Sequence, residues 1–238
     1  MVAILNSMTR IIAGIPVPNT AMINASIALA EAELPYQGYS HVMRAWLNGQ
    51  AMLNRLPPSN RSKIDHEAVG VATILHDLGW SNNTEIVSND KTFEVDGAIA
   101  AAKFIRREGG AAWDDQRIQL VWDAIALHTN ALIYPYKELE VQYTAAGTVT
   151  ELLGPELAKQ TLGDIVTATQ ADWDRIIAEI PRPPGRKKYF YDLMIGFCTT
   201  KPQVTYGTFQ GDWGERYVKN YTRVGHRQID LMDRILQD

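Results

Sequence analysis

An imidazole and a carboxylate stand side by side at His76-Asp77, directly after the apolar run over residues 71–75. A buried carboxylate is costly unless it is paired or bound to a metal ion, so this pair requires a physical reason. A divalent cation would satisfy both groups, because imidazole nitrogens and carboxylate oxygens are both ligands of first-row metals. His41 and His128 supply two further candidate nitrogens. We therefore predict a metal site that includes His41, His76 and Asp77.

The elements that must position these histidines are predicted to be helices. In the helix predicted over residues 65–76 an apolar stripe leads to His76, and in the helix predicted over residues 114–128 it leads to His128. His41 is predicted to begin a further helix, where its side chain can reach a neighbouring element. The three histidines can then converge inside one bundle. For His128 alone, the alternative is a core histidine whose ring bonds to a backbone carbonyl.

Helical periodicity extends over most of the chain, and strand-like alternation is scarce. The sequence therefore predicts an all-α, single-domain helical bundle over residues 1–238. Its metal-binding core is placed at about 20–155 and its C-terminal helices at about 156–238. The segment 199–214 is predicted to be loop-like, as a lid on the site, a surface loop or a dimer contact. Predicted N-caps are Thr20 or Asn19, Ser40 and Asp96, and later helices are predicted over residues 139–153, 165–180 and 214–236.

Composition restricts the class of protein further. The chain has 238 residues, of which 46% are hydrophobic, and this favours a packed globular fold over a disordered chain. Its net charge of -4 gives no reason to expect nucleic acid as a partner. The single cysteine, Cys198, suits a reducing compartment, and Arg10 interrupts the N-terminal apolar residues, so we expect no secretory signal. No apolar run approaches the length of a membrane span, and a cytoplasmic protein is predicted.

These motifs resemble the HD superfamily of metal-dependent hydrolases, and more narrowly its cyanamide hydratase-like members. The resemblance covers most of residues 15–155. It is carried by Ser40-His41 with Arg44, Leu75-His76-Asp77-Leu78-Gly79, Phe93-Glu94-Val95-Asp96-Gly97-Ala98 and Leu127-His128-Thr129. It implies an HD-type helical bundle in which His41, His76 and Asp77 bind a divalent metal ion. Zn²⁺ is the expected ion, with Fe²⁺ or Mn²⁺ as alternatives.

The chain departs from the family pattern at the last metal ligand. The resemblance places an aspartate a few residues before a Gly-Pro pair, and here Glu151 precedes Gly154-Pro155. Glutamate also binds metals, so Glu151 is predicted as the fourth ligand, with Asp164 as the fallback. The alternatives are an ordinary helix-surface carboxylate at Glu151, or a degenerate site that holds the metal weakly or not at all.

A metal held by two histidines and carboxylates keeps open positions where water binds and becomes a usable nucleophile. Asp77 would polarise that water, and His128 would orient the substrate or move a proton. A small-molecule substrate is the expected partner, and a homodimer remains open. The residues predicted to bind substrate are Thr129, Trp80, Trp122 and Arg44.

Three chemistries compete for this site. A phosphohydrolase needs cations to hold phosphate, and the residues after the motif supply none, although Arg44 and Lys91 are candidates elsewhere. A di-iron oxygenase needs two more histidines between Asp77 and Glu151, and only His128 lies there. Addition of water to a small, uncharged carbon–nitrogen substrate, as the resemblance to cyanamide hydratase implies, needs one metal and a neutral pocket, and it fits best by elimination and by resemblance. A metal-free binding role is the non-enzymatic alternative.

Overall fold

The computed structural model describes residues 9–236 of the chain. These residues begin with a hairpin of β1 (Thr9–Ile12) and β2 (Ile15–Pro18), which pair antiparallel with Arg10 opposite Val17. Its two-residue turn has φ of 50° at Ala13 and 74° at Gly14, and positive φ at both positions is typical of tight hairpins. The hairpin was not among the predicted elements.

Helices make up the rest of the regular structure, and the all-α, single-domain fold predicted from the sequence is confirmed. The α-helices are α1 (Ala21–Glu33), α2 (Tyr36–Asn54), α3 (Pro58–Arg61), α4 (His66–Leu75), α5 (Phe93–Glu108), α6 (Asp115–Leu127), α7 (Leu139–Leu153), α8 (Pro155–Leu162), α9 (Gln170–Glu179), α10 (Arg186–Thr200), α11 (Gly211–Tyr217) and α12 (Gln228–Ile235). Short 3₁₀ turns include Leu78–Trp80, directly after the motif.

The central element is α4, which packs against α1, α2, α6 and α7. Every residue from Ala68 to Leu75 is buried, because this helix is apolar all round and has neighbours on every side. The next helix in this core, α2, is buried almost continuously from Ser40 to Leu53. Functional side chains at the ends of α2 and α4 are therefore held by the most rigidly packed part of the molecule.

Capping residues explain three of the helix starts. The side chain of Thr20 accepts a hydrogen bond from the amide of Ile23, which confirms the predicted start of α1. Asp65 caps α4 and Asp114 caps α6 in the same way, at the predicted starts of both helices.

The predicted caps at Ser40 and Asp96 are wrong. α2 begins at Tyr36, so Ser40 lies within its first turns and its hydroxyl donates to the carbonyl of Gln37. α5 begins at Phe93, and Asp96 is a buried residue of its first turn. In both cases tertiary packing extends the helix beyond the residue with the stronger local capping preference.

The C-terminal predictions also need correction. The helix predicted over residues 214–236 is two helices, α11 and α12, separated by an irregular segment in which Asn220 and Gly225 have φ of 65° and 90°. Those values lie in the left-handed region and interrupt helical hydrogen bonding. The segment 199–214, predicted to be loop-like, contains the end of α10, a 3₁₀ turn over Pro202–Val204 and the start of α11.

Contacts within the fold group into two compact units. The larger contains residues up to Val87 and Phe93–Pro183, and the smaller contains Ser88–Thr92 and the residues from Pro184 onward. In the smaller unit α10 packs against α11, and Lys201 donates to the carbonyl of Ser88. Every helix within residues 9–236 is too short or too polar to cross a lipid bilayer.

Candidate metal centre

Two helix ends and one helix start supply the polar side chains of the site. His76 is the C-cap of α4, His128 is the C-cap of α6, and His41 lies in the second turn of α2. Asp77 follows His76 and precedes the 3₁₀ turn. Gly79 is required in that turn, because an added Cβ would lie 2.0 Å from the backbone oxygen of Phe93.

The three histidines surround the carboxylate of Asp77. Oδ2 of Asp77 lies 3.4 Å from Nε2 of His41 and 3.1 Å from Nε2 of His76. Oδ1 lies 3.8 Å from Nε2 of His128. All four residues are at most 5% exposed. The ring centroids of His41 and His76 are 5.2 Å apart, which confirms the predicted convergence.

Each histidine is fixed through its other ring nitrogen. Nδ1 of His76 contacts the backbone carbonyl of Thr73 at 2.7 Å, and Nδ1 of His128 contacts that of Ile125 at 2.7 Å. Nδ1 of His41 lies 2.7 Å from Oε2 of Glu151. Carbonyl and carboxylate oxygens only accept hydrogen bonds, so each Nδ1 carries the proton. In a neutral ring each Nε2 then carries a lone pair, which is directed towards Asp77.

This arrangement fits a cation. Three buried atoms, the two carboxylate oxygens of Asp77 and Nε2 of His76, have no hydrogen-bond partner of acceptable geometry within the described residues. Nitrogen lone pairs and an anionic carboxylate that face one another repel unless a positive charge lies between them. Ligand atoms of His41, His76 and Asp77 lie within 4.8 Å of one another, as a shared ion requires. Nδ1 bonds of this kind are the usual outer contacts of metal-binding histidines.

Electrostatics within the site point the same way. Burial by itself raises the pKa of Asp77, but the neighbouring imidazoles, chiefly His76, hold that pKa below its ordinary value. Burial lowers the pKa of His76, and the charge of Asp77 more than reverses this, so the net pKa is raised. Burial and the charge of His76 lower the pKa of His128 to about 4. Asp77 is therefore held as an anion, beside which either a proton on His76 or a bound cation is favourable, and His128 is neutral at neutral pH.

Glu151, predicted as the fourth ligand, lies outside the group of His41, His76 and Asp77 whose ligand atoms converge. Its carboxylate lies on the Nδ1 side of His41, on the opposite ring nitrogen from the one that faces Asp77. Burial raises the pKa of Glu151, but His41, Arg44 and Arg182 together hold that pKa far below its ordinary value. Glu151 is completely buried, so the alternative of a helix-surface carboxylate is wrong. The fallback ligand, Asp164, is exposed.

Arg44, predicted to bind substrate, makes its hydrogen bonds to Glu151 and to the backbone after α9. It is completely buried, and Nε donates to Oε1 of Glu151 at 2.8 Å. Nη1 donates to the carbonyl of Pro181 at 3.2 Å. Nε and Nη1 of Arg44 thus serve contacts within the chain, and the predicted role of Arg44 in substrate binding stays a prediction. Periodicity could identify Arg44 as helical but could not show which neighbouring carboxylate it meets.

Aromatic rings form one wall of the site. The indole of Trp80 stacks on the ring of His41, with centroids 5.7 Å apart and planes inclined by 16°. Phe93 lies between Trp80 and His128, with ring centroids 5.8 Å and 5.9 Å away. Trp80 is thus brought to the site as predicted, and Phe93 is a neighbour that the sequence reasoning named only as part of a motif. Trp122 is half-buried on α6, and its contact with substrate stays a prediction.

Thr129 is tied to a carboxylate that the sequence reasoning did not single out. Its hydroxyl donates to Oε1 of Glu94 at 2.8 Å, and Glu94 is buried in the first turn of α5. The role of Thr129 in substrate binding stays a prediction. The sequence signal for Glu94 was its position next to Phe93, at the start of a helix that packs on the 3₁₀ turn after the motif.

The two remaining histidines lie outside the centre. His66, the first residue of α4, is half-buried, with Nδ1 at 3.0 Å from Nε2 of Gln50. His226 is exposed in the segment before α12, and its ring stacks on Tyr206 with centroids 4.0 Å apart. His226 is therefore a surface residue as predicted, although it precedes the final helix.

No protein-family model matches the chain, and no curated protein matches its sequence. The function of the centre is therefore inferred from its own residues and geometry.

Proposed function

We propose that this chain is a metal-dependent hydrolase or hydratase of the HD type that adds water to a small, uncharged carbon–nitrogen substrate. The observation that carries the proposal is the group of three imidazole Nε2 atoms directed at one buried carboxylate whose oxygens have no hydrogen-bond partner within residues 9–236. His41, His76 and Asp77 would hold a divalent ion, with Zn²⁺ favoured by the two-histidine, one-carboxylate set and Fe²⁺ or Mn²⁺ as alternatives. When bound, the ion supplies Lewis acidity and lowers the pKa of water towards neutrality.

The position of His128 suits it to move the proton in this reaction, although its pKa of about 4 makes it a weak base at neutral pH. Its Nδ1 proton is occupied by the carbonyl of Ile125, so Nε2 faces the centre as an acceptor. Nε2 lies 3.8 Å from Oδ1 of Asp77, so it borders the group of three candidate ligands without belonging to it. His128 would therefore accept a proton from water and return it to the nitrogen of the substrate.

An uncharged substrate is favoured over a phosphate ester by the charges at the site. Arg44 and Arg182 are both within salt-bridge distance of Glu151, at 2.8 Å and 3.4 Å. Trp80 and Phe93 supply an apolar wall beside His41 and His128. A phosphoryl group needs cations that are free to hold its oxygens, and these two arginines are already committed.

The experiment combines metal analysis with a substrate screen. We expect one equivalent of Zn²⁺, Fe²⁺ or Mn²⁺ per chain after loading and dialysis. The loaded protein should then hydrate small nitriles or hydrolyse small amides in preference to phosphate esters. Turnover of phosphate esters alone would replace the substrate class, and a chain that takes up no metal would refute the enzymatic proposal.

A further inference from the structure

We propose that Glu151 is a positioning residue that orients His41 for the metal, and that Arg44 and Arg182 clamp it in place. This inference rests on the proposed function, because it takes His41 to be a metal ligand. It changes the role of the carboxylate that stands where a fourth ligand was expected.

The two carboxylate oxygens of Glu151 face different partners. Oε2 accepts from Nδ1 of His41 at 2.7 Å, and Oε1 accepts from Nε of Arg44 at 2.8 Å. Nε of Arg182 approaches Oε1 at 3.4 Å. The contact with His41 fixes the ring so that Nε2 faces Asp77. A carboxylate that holds the outer nitrogen of a histidine sets its tautomer and raises its basicity as a ligand.

A close helix crossing brings these residues together. Gly147 lies one turn before Glu151 on α7, and an added Cβ there would lie 2.5 Å from the backbone oxygen of Ala45 on α2. Only glycine allows this approach of the two backbones. The carboxylate of Glu151 therefore lies between His41 and Arg44, and these two residues are about one helical turn apart on α2.

The clamp extends into the segment that follows α9. Arg44 donates through Nη1 to the carbonyls of Ile180 and Pro181 at 3.4 Å and 3.2 Å. Arg182 donates through Nη2 to the backbone oxygen of Glu151, and its guanidinium lies over the ring of Trp173, 4.6 Å from the centroid. Two guanidinium groups thus satisfy a completely buried carboxylate from both the core and this segment. Arg182 would therefore act on the centre through Glu151.

The test measures Zn²⁺ affinity by competition with a chelator in four variants. We expect Glu151→Gln to lower affinity about 10- to 100-fold, as is typical when an outer contact of a metal ligand is lost. Glu151→Asp should also lower it about tenfold, because the shorter side chain withdraws the carboxylate by on the order of 1.5 Å. Arg182→Ala should lower it about threefold, one contact further out. The matched control is Arg175→Ala, which removes an exposed guanidinium paired with Asp172 and should leave affinity unchanged.

The variant Glu151→Asp distinguishes positioning from direct ligation. A true fourth ligand would tolerate aspartate, so an equal or higher Zn²⁺ affinity in Glu151→Asp overturns the inference. X-ray absorption at saturating Zn²⁺ should give the same ligand set in wild type and Glu151→Gln, whereas loss of an oxygen ligand would also overturn it. If the buried Glu151 variants do not fold, Arg182→Ala carries the test, because Arg182 is partly exposed.

A metal-independent measurement separates this inference from the proposed function. In the metal-free chain, nitrogen NMR of the His41 ring should find the proton on Nδ1 in wild type and a mixture of tautomers in Glu151→Gln. A His41 ring protonated only on Nε2 in wild type would overturn the inference whether or not the chain binds metal. A chain that binds no Zn²⁺ but keeps the Nδ1 proton would overturn the proposed function and leave the contact between Glu151 and His41 supported.

Discussion

Both ends of α4 carry acidic residues and histidines, but the two ends differ in whether the acidic groups have hydrogen-bond partners. At the first turn, Arg117 donates to both oxygens of Asp65 and to Glu67, with distances of 2.5–2.9 Å. At the last turn, neither oxygen of Asp77 has a hydrogen-bond partner within the described part of the chain, and histidines surround it. The same helix therefore has a satisfied charge cluster at one end and an unsatisfied one at the other.

This difference distinguishes a structural charge cluster from the one that we propose to be functional. The cluster around Arg117 is partly exposed and its charges are neutralised by partners in the chain. The cluster around Asp77 is buried and has no arginine donor of this kind within the described residues, and a bound ion or a catalytic role is one explanation of such a group.

Asp77→Asn should abolish metal uptake, because it removes the anion while it preserves size. We expect the loss of bound Zn²⁺ to be complete within the precision of elemental analysis, with activity lost in parallel. Normal metal content in Asp77→Asn would show that the unsatisfied carboxylate has another purpose.

His128→Ala should retain most of the metal but lose turnover, because it removes the proton carrier and none of the three converging ligands.

Arg117→Met should destabilise the protein and leave metal uptake intact. It removes the charged donor that Asp65 and Glu67 share, and we expect a loss of about 2 kcal/mol in the free energy of unfolding. Chemical denaturation of the metal-free chain measures this loss, and metal titration of the variant is its control. A large loss of metal affinity would mean that the two ends of α4 are coupled, contrary to the comparison.

Acid should weaken the folded state through the same cluster. Burial raises the pKa of Asp65, but its bonds with Arg117 and Ala68 hold the net pKa below the ordinary value of 3.8. The ionised form is thus favoured by folding, so its contribution is present above pH 3.8 and is lost as pH falls through the lower folded pKa. Unfolding at a series of pH values should give a steeper decline below pH 3.8 in wild type than in Arg117→Met. Parallel curves would remove Asp65 as the cause.

The smallest effect is expected at His66, which lies at the satisfied end of α4. His66→Gln should change the free energy of unfolding by about 0.5–1 kcal/mol, because it disturbs a hydrogen bond with Gln50. Zn²⁺ stoichiometry should stay unchanged, in contrast with His76→Gln, which removes a proposed ligand. If both variants lost the ion equally, the distinction between the two ends would fail.

Local patterns were enough to predict most of the helical core. The aspartates at 65 and 114 and Thr20 start their helices where the sequence placed them, because an N-cap bond forms within four residues. α7 was predicted over its observed range, Leu139–Leu153, where Gly154 with φ of 79° ends it. Ser40 failed as a cap because the packing of α2 extends that helix to Tyr36.

The long final helix failed for a related reason. Its apolar periodicity continues across residues 218–227, but the backbone there turns through Asn220 and Gly225. The spacing of apolar residues alone does not predict that one or two residues adopt a positive φ. The beginning of α9 was also predicted too early, since Thr169 and Asp172 form a capping box that starts the helix at Gln170.

The sequence by itself determined the chemical types at the centre. A histidine and an aspartate after an apolar helix, with His128 on a helical stripe and His41 predicted at a helix start, were sufficient to predict that His41, His76 and Asp77 meet. Burial of the pair follows from the apolar residues before it, and convergence follows from helical period, both of which are local properties.

Only the tertiary structure decided which atom of each residue faces the centre. The choice between Nδ1 and Nε2 depends on acceptors such as Glu151, which lies 110 positions along the chain from His41. The side of the ring that Glu151 meets is fixed by the crossing of α2 and α7 at Gly147. A glutamate in place of the expected aspartate can bind the metal or orient the histidine that binds it. Which role it takes depends on differences of a few ångströms in how the two helices pack. Sequence spacing does not specify distances across helices at that scale, and packing does.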